Sequence, residues 1–100
     1  MANFYGRKIP RGAGKEEIKK LFNCPYFFHK DKINGLRSSL LSFSRLNLEI
    51  GFGSGENLIN SAQKKSEEIF IGCDPYLKGS LLLKKKIKLM NIKNVILTNL

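Results

Sequence analysis

The stretch between residues 48 and 59 constrains the fold more than any other part of the chain, because it reads "LEIGFGSGENLI". A short apolar run leads into glycines at three alternate positions, Gly51, Gly53 and Gly55, and a helical pattern follows. Glycine weakens both strands and helices, so its repeated use here needs a reason. In a βαβ unit the first strand ends in a tight turn, and a ligand lying on that turn needs a backbone without Cβ atoms. The stretch therefore predicts a strand, a ligand-binding turn and a helix.

The remainder of the second half alternates between strand and helix patterns. The predicted limits are 46–50, 68–74 and 94–98 for the strands, and 55–65 and 76–91 for the helices. In the first of these helices Leu58, Ile59 and Ala62 would face inward. Strands that alternate with helices of this length favour parallel pairing with right-handed crossovers. We therefore expect an α/β fold over residues 46–100, the first half (β-α-β-α-β) of a Rossmann-like, doubly wound sheet.

Residues 1–45 differ from the rest in charge and composition. They hold ten Lys and Arg against three Asp and Glu, whereas residues 46–100 hold eight against five. The segment begins with the glycine-rich, basic "MANFYGRKIPRGAGK", predicts a short helix over 15–23, and continues into the aromatic cluster "PYFFHK". We expect a basic N-terminal arm with one anchored helix. The net charge of +10 on 100 residues points to an anionic partner, either nucleic acid or an acidic membrane surface.

The cations of the arm are predicted to contact RNA phosphates, because a glycine-rich basic arm has no packing role. These residues are Arg7, Lys8, Arg11 and Lys15. Tyr5, Phe27 and Phe28 are candidates for stacking on bases, although a core position is favoured for the two phenylalanines.

A second group of lysines lies on the helix predicted over 76–91. A solvated outer face is favoured for them, and RNA contact is the alternative. They are Lys78, Lys84, Lys85, Lys86 and Lys88, and the opposite, inward side would carry Leu81, Leu82, Ile87 and Met90.

Two carboxylates restrict the ligand of the glycine turn. Glu56 stands where the dinucleotide fingerprint G-x-G-x-x-G has its third glycine, and Glu49 lies on the strand, so a pyrophosphate would be repelled. Asp74 stands at the carboxyl end of the second strand, 19 residues after Gly55, where such folds hold a carboxylate for ribose hydroxyls. A ligand with a ribose and a cationic end describes S-adenosylmethionine. An aspartate before a proline is also common at the start of a helix, which is the alternative for Asp74.

Other kinds of site have little support. The two cysteines form no C-x-x-C pair and His29 is the single histidine, so no metal site is expected, and Cys73 is predicted to be a buried, reduced thiol. No apolar run approaches the roughly 18 residues of a membrane span, and the first residues lack the apolar core of a secretory signal. We expect a cytoplasmic protein.

Three phrases, "FYGRK", "LEIGFGSGENL" and "FIGCDPYLKG", resemble the bacterial tRNA (guanine-N7-)-methyltransferases, a family of class I S-adenosylmethionine-dependent enzymes that methylate the variable-loop guanine, guanine 46. The resemblance implies that Glu49 and Asp74 bind the cofactor, that Gly51, Gly53 and Gly55 form the loop beneath it, and that the arm belongs to the tRNA surface. The family usually has Glu at this position. The side chain of Asp74 is shorter and reaches less far toward the ribose hydroxyls. No catalytic residue is assigned.

The resemblance covers only the N-terminal half of the family, whose later catalytic and tRNA-contacting segments have no counterpart in this sequence. We therefore expect a fragment or a truncated reading frame, with weak cofactor binding, no turnover, and an unpaired apolar edge on the first strand that promotes aggregation or dimerisation. Two alternatives stay open: a non-catalytic basic RNA-binding module, and a nicotinamide-dependent oxidoreductase fragment, which the absence of glycine at position 56 disfavours.

Overall fold

The computed structural model describes residues 14–100, with the side chains of Arg37 and Ser39 excepted. Within this part the chain forms a three-stranded parallel sheet in the order β1-β2-β3, with helices between and before the strands. The elements are α1 (Lys15–Phe22), a 3₁₀ helix (Lys30–Gly35), α2 (Leu36–Leu40), β1 (Leu46–Ile50), α3 (Glu56–Lys64), β2 (Ile69–Cys73), α4 (Leu77–Leu89) and β3 (Val95–Thr98). The predicted α/β fold, one half of a doubly wound sheet, is confirmed.

One face of the sheet packs against α1, α3 and α4. Its core includes Phe27, Leu58, Leu83 and Leu97, each at most 1% exposed. The predicted inward residues of α3, Leu58 among them, are all buried. Acidic side chains occupy the first turns of α1 and α3 and basic side chains their last turns, which complements the helix dipoles.

The opposite face packs against the 3₁₀ helix and α2. Phe28, Ile69, Ile71 and Ile96 form its buried core. The first segment of the chain thus holds more ordered structure than the single anchored helix that the sequence predicts. The segment is also tied to the sheet by backbone hydrogen bonds, because the N–H of Phe28 donates to the Leu97 carbonyl (2.8 Å). The boundary between an arm and a cofactor domain at residues 45 and 46 stays a prediction.

The predicted inward face of α4 was wrong in two positions. Leu82 and Met90 are 47% and 45% exposed, whereas Leu77, Leu83 and Ile87 are buried. The buried residues of α4 are three or four positions apart and include Leu83, as expected for one face of a helix. A run of three consecutive leucines does not by itself show which of them lies on that face.

Strand β1 pairs with β2 and has no second neighbour among residues 14–100. Leu46, Leu48 and Ile50 point to the same face and are 54%, 60% and 78% exposed. The predicted apolar, unpaired edge on the first strand is therefore present in the described part of the chain. No helix in that part is long and apolar enough to span a membrane.

Asn94 joins the end of α3 to the start of β3. It is 6% exposed, and its side-chain amide lies 2.9 Å from the carbonyl oxygens of Ala62 and Glu68 and 3.1 Å from that of Lys65. The last carbonyls of a helix have no partner within the helix, so this amide supplies one. The sequence alone gave no sign of this role.

We expect Asn94→Ala to lower the free energy of unfolding by about 2 kcal/mol, because it leaves buried carbonyl oxygens without a donor. The measurement is urea denaturation followed by circular dichroism. Asn60→Ala, at an exposed position of α3, is the control and should shift the value by less than about 0.5 kcal/mol. Equal losses in the two variants would contradict the assigned role.

Candidate functional site

The turn after β1 takes a backbone path that favours glycine at three positions. The φ angles of Gly51, Gly53 and Gly55 are +69°, +59° and +78°, in the left-handed region where residues with a Cβ are strained. The N–H of Gly51 donates to the Cys73 carbonyl at 2.6 Å, and that of Gly55 donates to the Phe52 carbonyl at 2.9 Å. The turn therefore begins where the pairing of β1 with β2 ends, and it leads into α3.

The three glycines differ in what surrounds them. A Cβ on Gly55 would lie 2.5 Å from the side chain of Leu83 in α4, so this glycine is needed for packing as well as for conformation. A Cβ on Gly51 or Gly53 would meet no atom within 4 Å. One side of the turn is thus open, and its backbone is accessible to a ligand from that side.

Asp74 connects the turn to the start of α4. Its carboxylate is 7% exposed; Oδ2 accepts from the N–H of Gly53 (3.3 Å) and Oδ1 accepts from the N–H of Tyr76 (3.0 Å). The hydrogen bond from Tyr76 lies just before α4 begins, and it matches the alternative role predicted for Asp74, an aspartate at the start of a helix. Each carboxylate oxygen has two lone pairs, so the residue retains capacity to accept from a ligand hydroxyl.

Glu49 lies near the same edge of the sheet. It pairs in register with Gly72, and the next pair is Ile50 with Cys73, after which the two strands end. Glu49 is half-buried, and none of the backbone groups and side chains that the structure describes donates a hydrogen bond to its carboxylate. Because the carboxyl ends of parallel neighbours meet at one edge, the two predicted ligands come from adjacent strand ends.

Gly79 and Phe52 shape the turn, and neither was predicted from the sequence to do so. A Cβ on Gly79, in the first turns of α4, would lie 2.6 Å from the carbonyl oxygen of Gly53. The ring of Phe52 is 5% exposed and fills the space beside Gly72 and Gly79. A glycine inside a predicted helix is a signal of close backbone approach, and this signal points to Gly79.

The residues predicted to bind RNA are only partly described. Arg7, Lys8 and Arg11, together with Tyr5, lie outside the described residues, and Lys15 is exposed at the start of α1. Phe27 and Phe28 are 0% and 6% exposed. They are core residues, as the sequence favoured, and are not available for stacking on bases.

The cysteines are free thiols in the part of the chain described. Cys24 is buried, whereas Cys73 is half-buried, so the prediction of a buried Cys73 was wrong in degree. Burial raises the pKa of the Cys73 thiol above its ordinary value. Residues 14–100 contain no group of three or more His, Cys, Asp and Glu side chains that could hold a metal ion.

Comparisons with known proteins converge on one enzyme class. A family model described as "Putative methyltransferase" matches residues 44–100, which include the turn and the whole sheet. The chain is 45% identical over 56 residues to a tRNA (guanine-N(7)-)-methyltransferase of Wolbachia pipientis wMel, a match covering 56% of this chain and 25% of the relative. It is 30% identical over 95 residues to a tRNA (guanine-N(7)-)-methyltransferase of Neorickettsia sennetsu, covering 95% of this chain and 40% of that one.

A solved structure supports the same fold. An antibiotic-related methyltransferase superimposes with a TM-score of 0.61 and 25% sequence identity, over 67% of this chain and 36% of its own. The chain thus spans a quarter of the Wolbachia relative and two fifths of the Neorickettsia relative.

We expect Gly55→Ala to destabilise the protein more than Gly53→Ala does. Both place a Cβ on a left-handed residue, which costs about 1–2 kcal/mol, but only the first also drives it into Leu83. Urea denaturation measures both values, and Gly53→Ala is the matched control for the backbone term. Combining Gly55→Ala with Leu83→Ala should cost less than the sum of the two single changes. Equal costs for Gly53→Ala and Gly55→Ala would contradict the packing role.

Proposed function

Since the chain belongs to the family of bacterial tRNA (guanine-N7-)-methyltransferases, we propose that it binds S-adenosylmethionine at the glycine turn and serves in methyl transfer to N7 of a guanine in tRNA. The guanine is the variable-loop guanine 46. One observation carries the cofactor proposal: a left-handed glycine turn with an open side lies at the carboxyl edge of a parallel sheet, next to two carboxylates. This edge is where sheets of this type bind their ligands.

The charge of the site supports a ligand with a cationic end. Glu49 on β1 and Glu56 at the start of α3 flank the turn, and a phosphate there would meet two negative charges. The sulfonium and ammonium groups of S-adenosylmethionine are attracted instead. We assign Glu49 to this cationic end, because its carboxylate has no competing donor in the described chain.

The position of Asp74 supports contact with the ribose. Its two oxygens already hold the N–H groups of Gly53 and Tyr76, which fixes the orientation of the carboxylate. The remaining lone pairs would accept from the two ribose hydroxyls. The backbone of Gly51 and Gly53, open on one side, would lie beneath the ligand.

The reaction depends mainly on how the methyl donor and guanine N7 are positioned. Guanine N7 has a free lone pair and needs no base to activate it, so the methyl group moves from sulfur to nitrogen as the S–C bond breaks and the N–C bond forms, leaving S-adenosylhomocysteine. The contribution of this chain would be to hold one reactant in a fixed orientation and to exclude water from the turn. No side chain of the site is given an acid or base role.

The basic charge supports RNA as the second reactant. We propose that Arg7, Lys8, Arg11 and Lys15 contact tRNA phosphates, which position an RNA without reading its sequence.

A second candidate function is a non-catalytic basic RNA-binding module. The net charge of +10 favours it. The two candidates differ in one property, because only the methyltransferase needs cofactor affinity.

We expect Glu49→Gln to weaken S-adenosylmethionine binding by about tenfold or more without lowering stability, since the carboxylate would bind the ligand and no protein donor. Asp74→Asn should weaken binding and also lower the melting temperature, because its carboxylate holds two backbone N–H groups. Isothermal titration calorimetry and thermal denaturation provide the two readouts.

Glu67→Gln is the matched control for Glu49→Gln. It removes the same charge from an exposed position before β2, at the end of the strand away from the turn, and should leave the affinity within about twofold of the unsubstituted chain. If both glutamine variants lost affinity equally, the effect would be one of overall charge and the site assignment would be wrong.

We expect replacement of all four arm cations by glutamine to make the salt dependence of tRNA affinity shallower. The magnitude of the slope of log affinity against log salt concentration should fall by about 3, since each phosphate contact contributes about 0.7–0.9. Fluorescence anisotropy with a labelled tRNA transcript measures the slope. An unchanged slope would remove these residues from the RNA surface.

A further inference from the structure

A groove lies beside the C-terminal half of α4, away from the glycine turn. It has a volume of about 390 Å³ and is lined in part by Tyr26, Lys84, Lys88 and Asn91. Its volume falls in the range of sites that hold small ligands, about 300–1,000 Å³. None of these four residues takes part in the cofactor site.

The two lysines of the groove form a pair of like charges. Lys84 and Lys88 are four residues apart on one helix, which places their Cβ atoms about 5–6 Å apart and makes their repulsion unfavourable. The sequence of α4 contains no acidic residue that would offset it. The ion pair found among the described residues joins His29 to Asp31, so neither lysine has a carboxylate partner there. An anionic ligand would remove the repulsion.

Tyr26 gives the groove an aromatic wall in a fixed position. Its hydroxyl donates to the carbonyl of Lys84 at 3.1 Å, and its own carbonyl accepts from the N–H of Leu97 in β3 at 2.8 Å. Burial, followed by a hydrogen bond with Cys24, raises the pKa of the Tyr26 hydroxyl above its ordinary value, so the group stays a neutral donor. The side chain is half-buried, and it lines the groove together with the two lysines.

Lysines continue from the groove toward the glycine turn. Lys85 and Lys78 are exposed on the outer side of α4, and Gly79 next to Lys78 touches the turn. At 1.5 Å per residue, the distance along the helix from Gly79 to Lys88 is about 14 Å. A single polyanion can therefore reach both the groove and the edge of the cofactor site.

We propose that this groove binds a nucleotide segment of the RNA substrate, with Lys84 and Lys88 at its phosphates and the Tyr26 ring against a base or ribose. The inference rests on the proposed tRNA substrate and adds a contact surface to it. Paired lysines beside an aromatic ring are the combination that RNA-binding surfaces use for backbone charge and base stacking. A flat anionic membrane would not enter a concave groove, so RNA fits the shape better.

The test measures affinity for a labelled tRNA transcript over a salt series, using the chain with Lys84→Gln and Lys88→Gln together. We expect affinity to fall about tenfold and the salt slope to drop by about 1.4–1.8, the value for two phosphates. The charge-matched control is Lys30→Gln with Lys64→Gln, two exposed positions on the 3₁₀ helix and α3, which should leave the slope unchanged. Equal losses in the two double variants would overturn the proposal.

The aromatic contact has its own variants. Tyr26→Leu should lower affinity by about fivefold or more through lost stacking, and Tyr26→Phe, which keeps the ring, should retain most of the affinity. If Tyr26→Leu does not fold, the lysine comparison and Tyr26→Phe still decide the outcome, because a large loss in Tyr26→Phe would contradict a stacking role.

Two further readouts separate this inference from the function on which it rests. The lysine variants should keep the S-adenosylmethionine affinity of the unsubstituted chain. An unsubstituted chain with no tRNA affinity would contradict the proposed function itself, whereas tRNA binding that is insensitive to Lys84 and Lys88 beyond the control would contradict only the groove. Lysine-dependent binding to phosphatidylserine vesicles in place of tRNA would overturn the choice of RNA as the occupant.

Discussion

Gly53 is held through both of its backbone groups, and the geometry of the site depends on these contacts. Its N–H lies 3.3 Å from the carboxylate of Asp74, and its carbonyl oxygen lies so close to Gly79 that a Cβ there would be 2.6 Å away. Gly53 follows β1, Asp74 follows β2 and Gly79 belongs to α4. One residue therefore joins two strand ends to a helix, because Gly79 has no Cβ in the way of the Gly53 carbonyl oxygen and Gly53 accepts a left-handed backbone.

This contact makes α4 a common support for two surfaces. Its first turns lie against the glycine turn, and its second half carries the lysines of the groove beside Tyr26. Leu83, fully buried between these regions, contacts the position where Gly55 lacks a Cβ. Since the helix packs as one rigid element, a cofactor at the turn and an RNA at the groove would be held at a fixed separation.

The sequence predicted the parts of the fold that rest on local pattern. The strand over 46–50 is exact, because the apolar run ends where glycines begin to repeat at alternate positions. Residues 30–40 were not assigned to a helix, because only Ile33, Leu36 and Leu40 mark their buried side and helices this short depend on packing against the sheet. The glycines of the turn were identified by spacing, but Gly79 belongs to a contact between distant elements, which spacing along the chain does not encode.

The most direct test of the central claim is a two-dimensional amide NMR titration of the ¹⁵N-labelled chain with S-adenosylmethionine. A ligand on the turn should produce saturable shifts concentrated in residues 49–55 and 74–79, with the amides of Gly51 and Gly53 among the largest. Amides on the groove side of α4 should move little. A folded chain whose spectrum does not change, or changes only outside these two segments, would contradict a cofactor site built on the glycine turn.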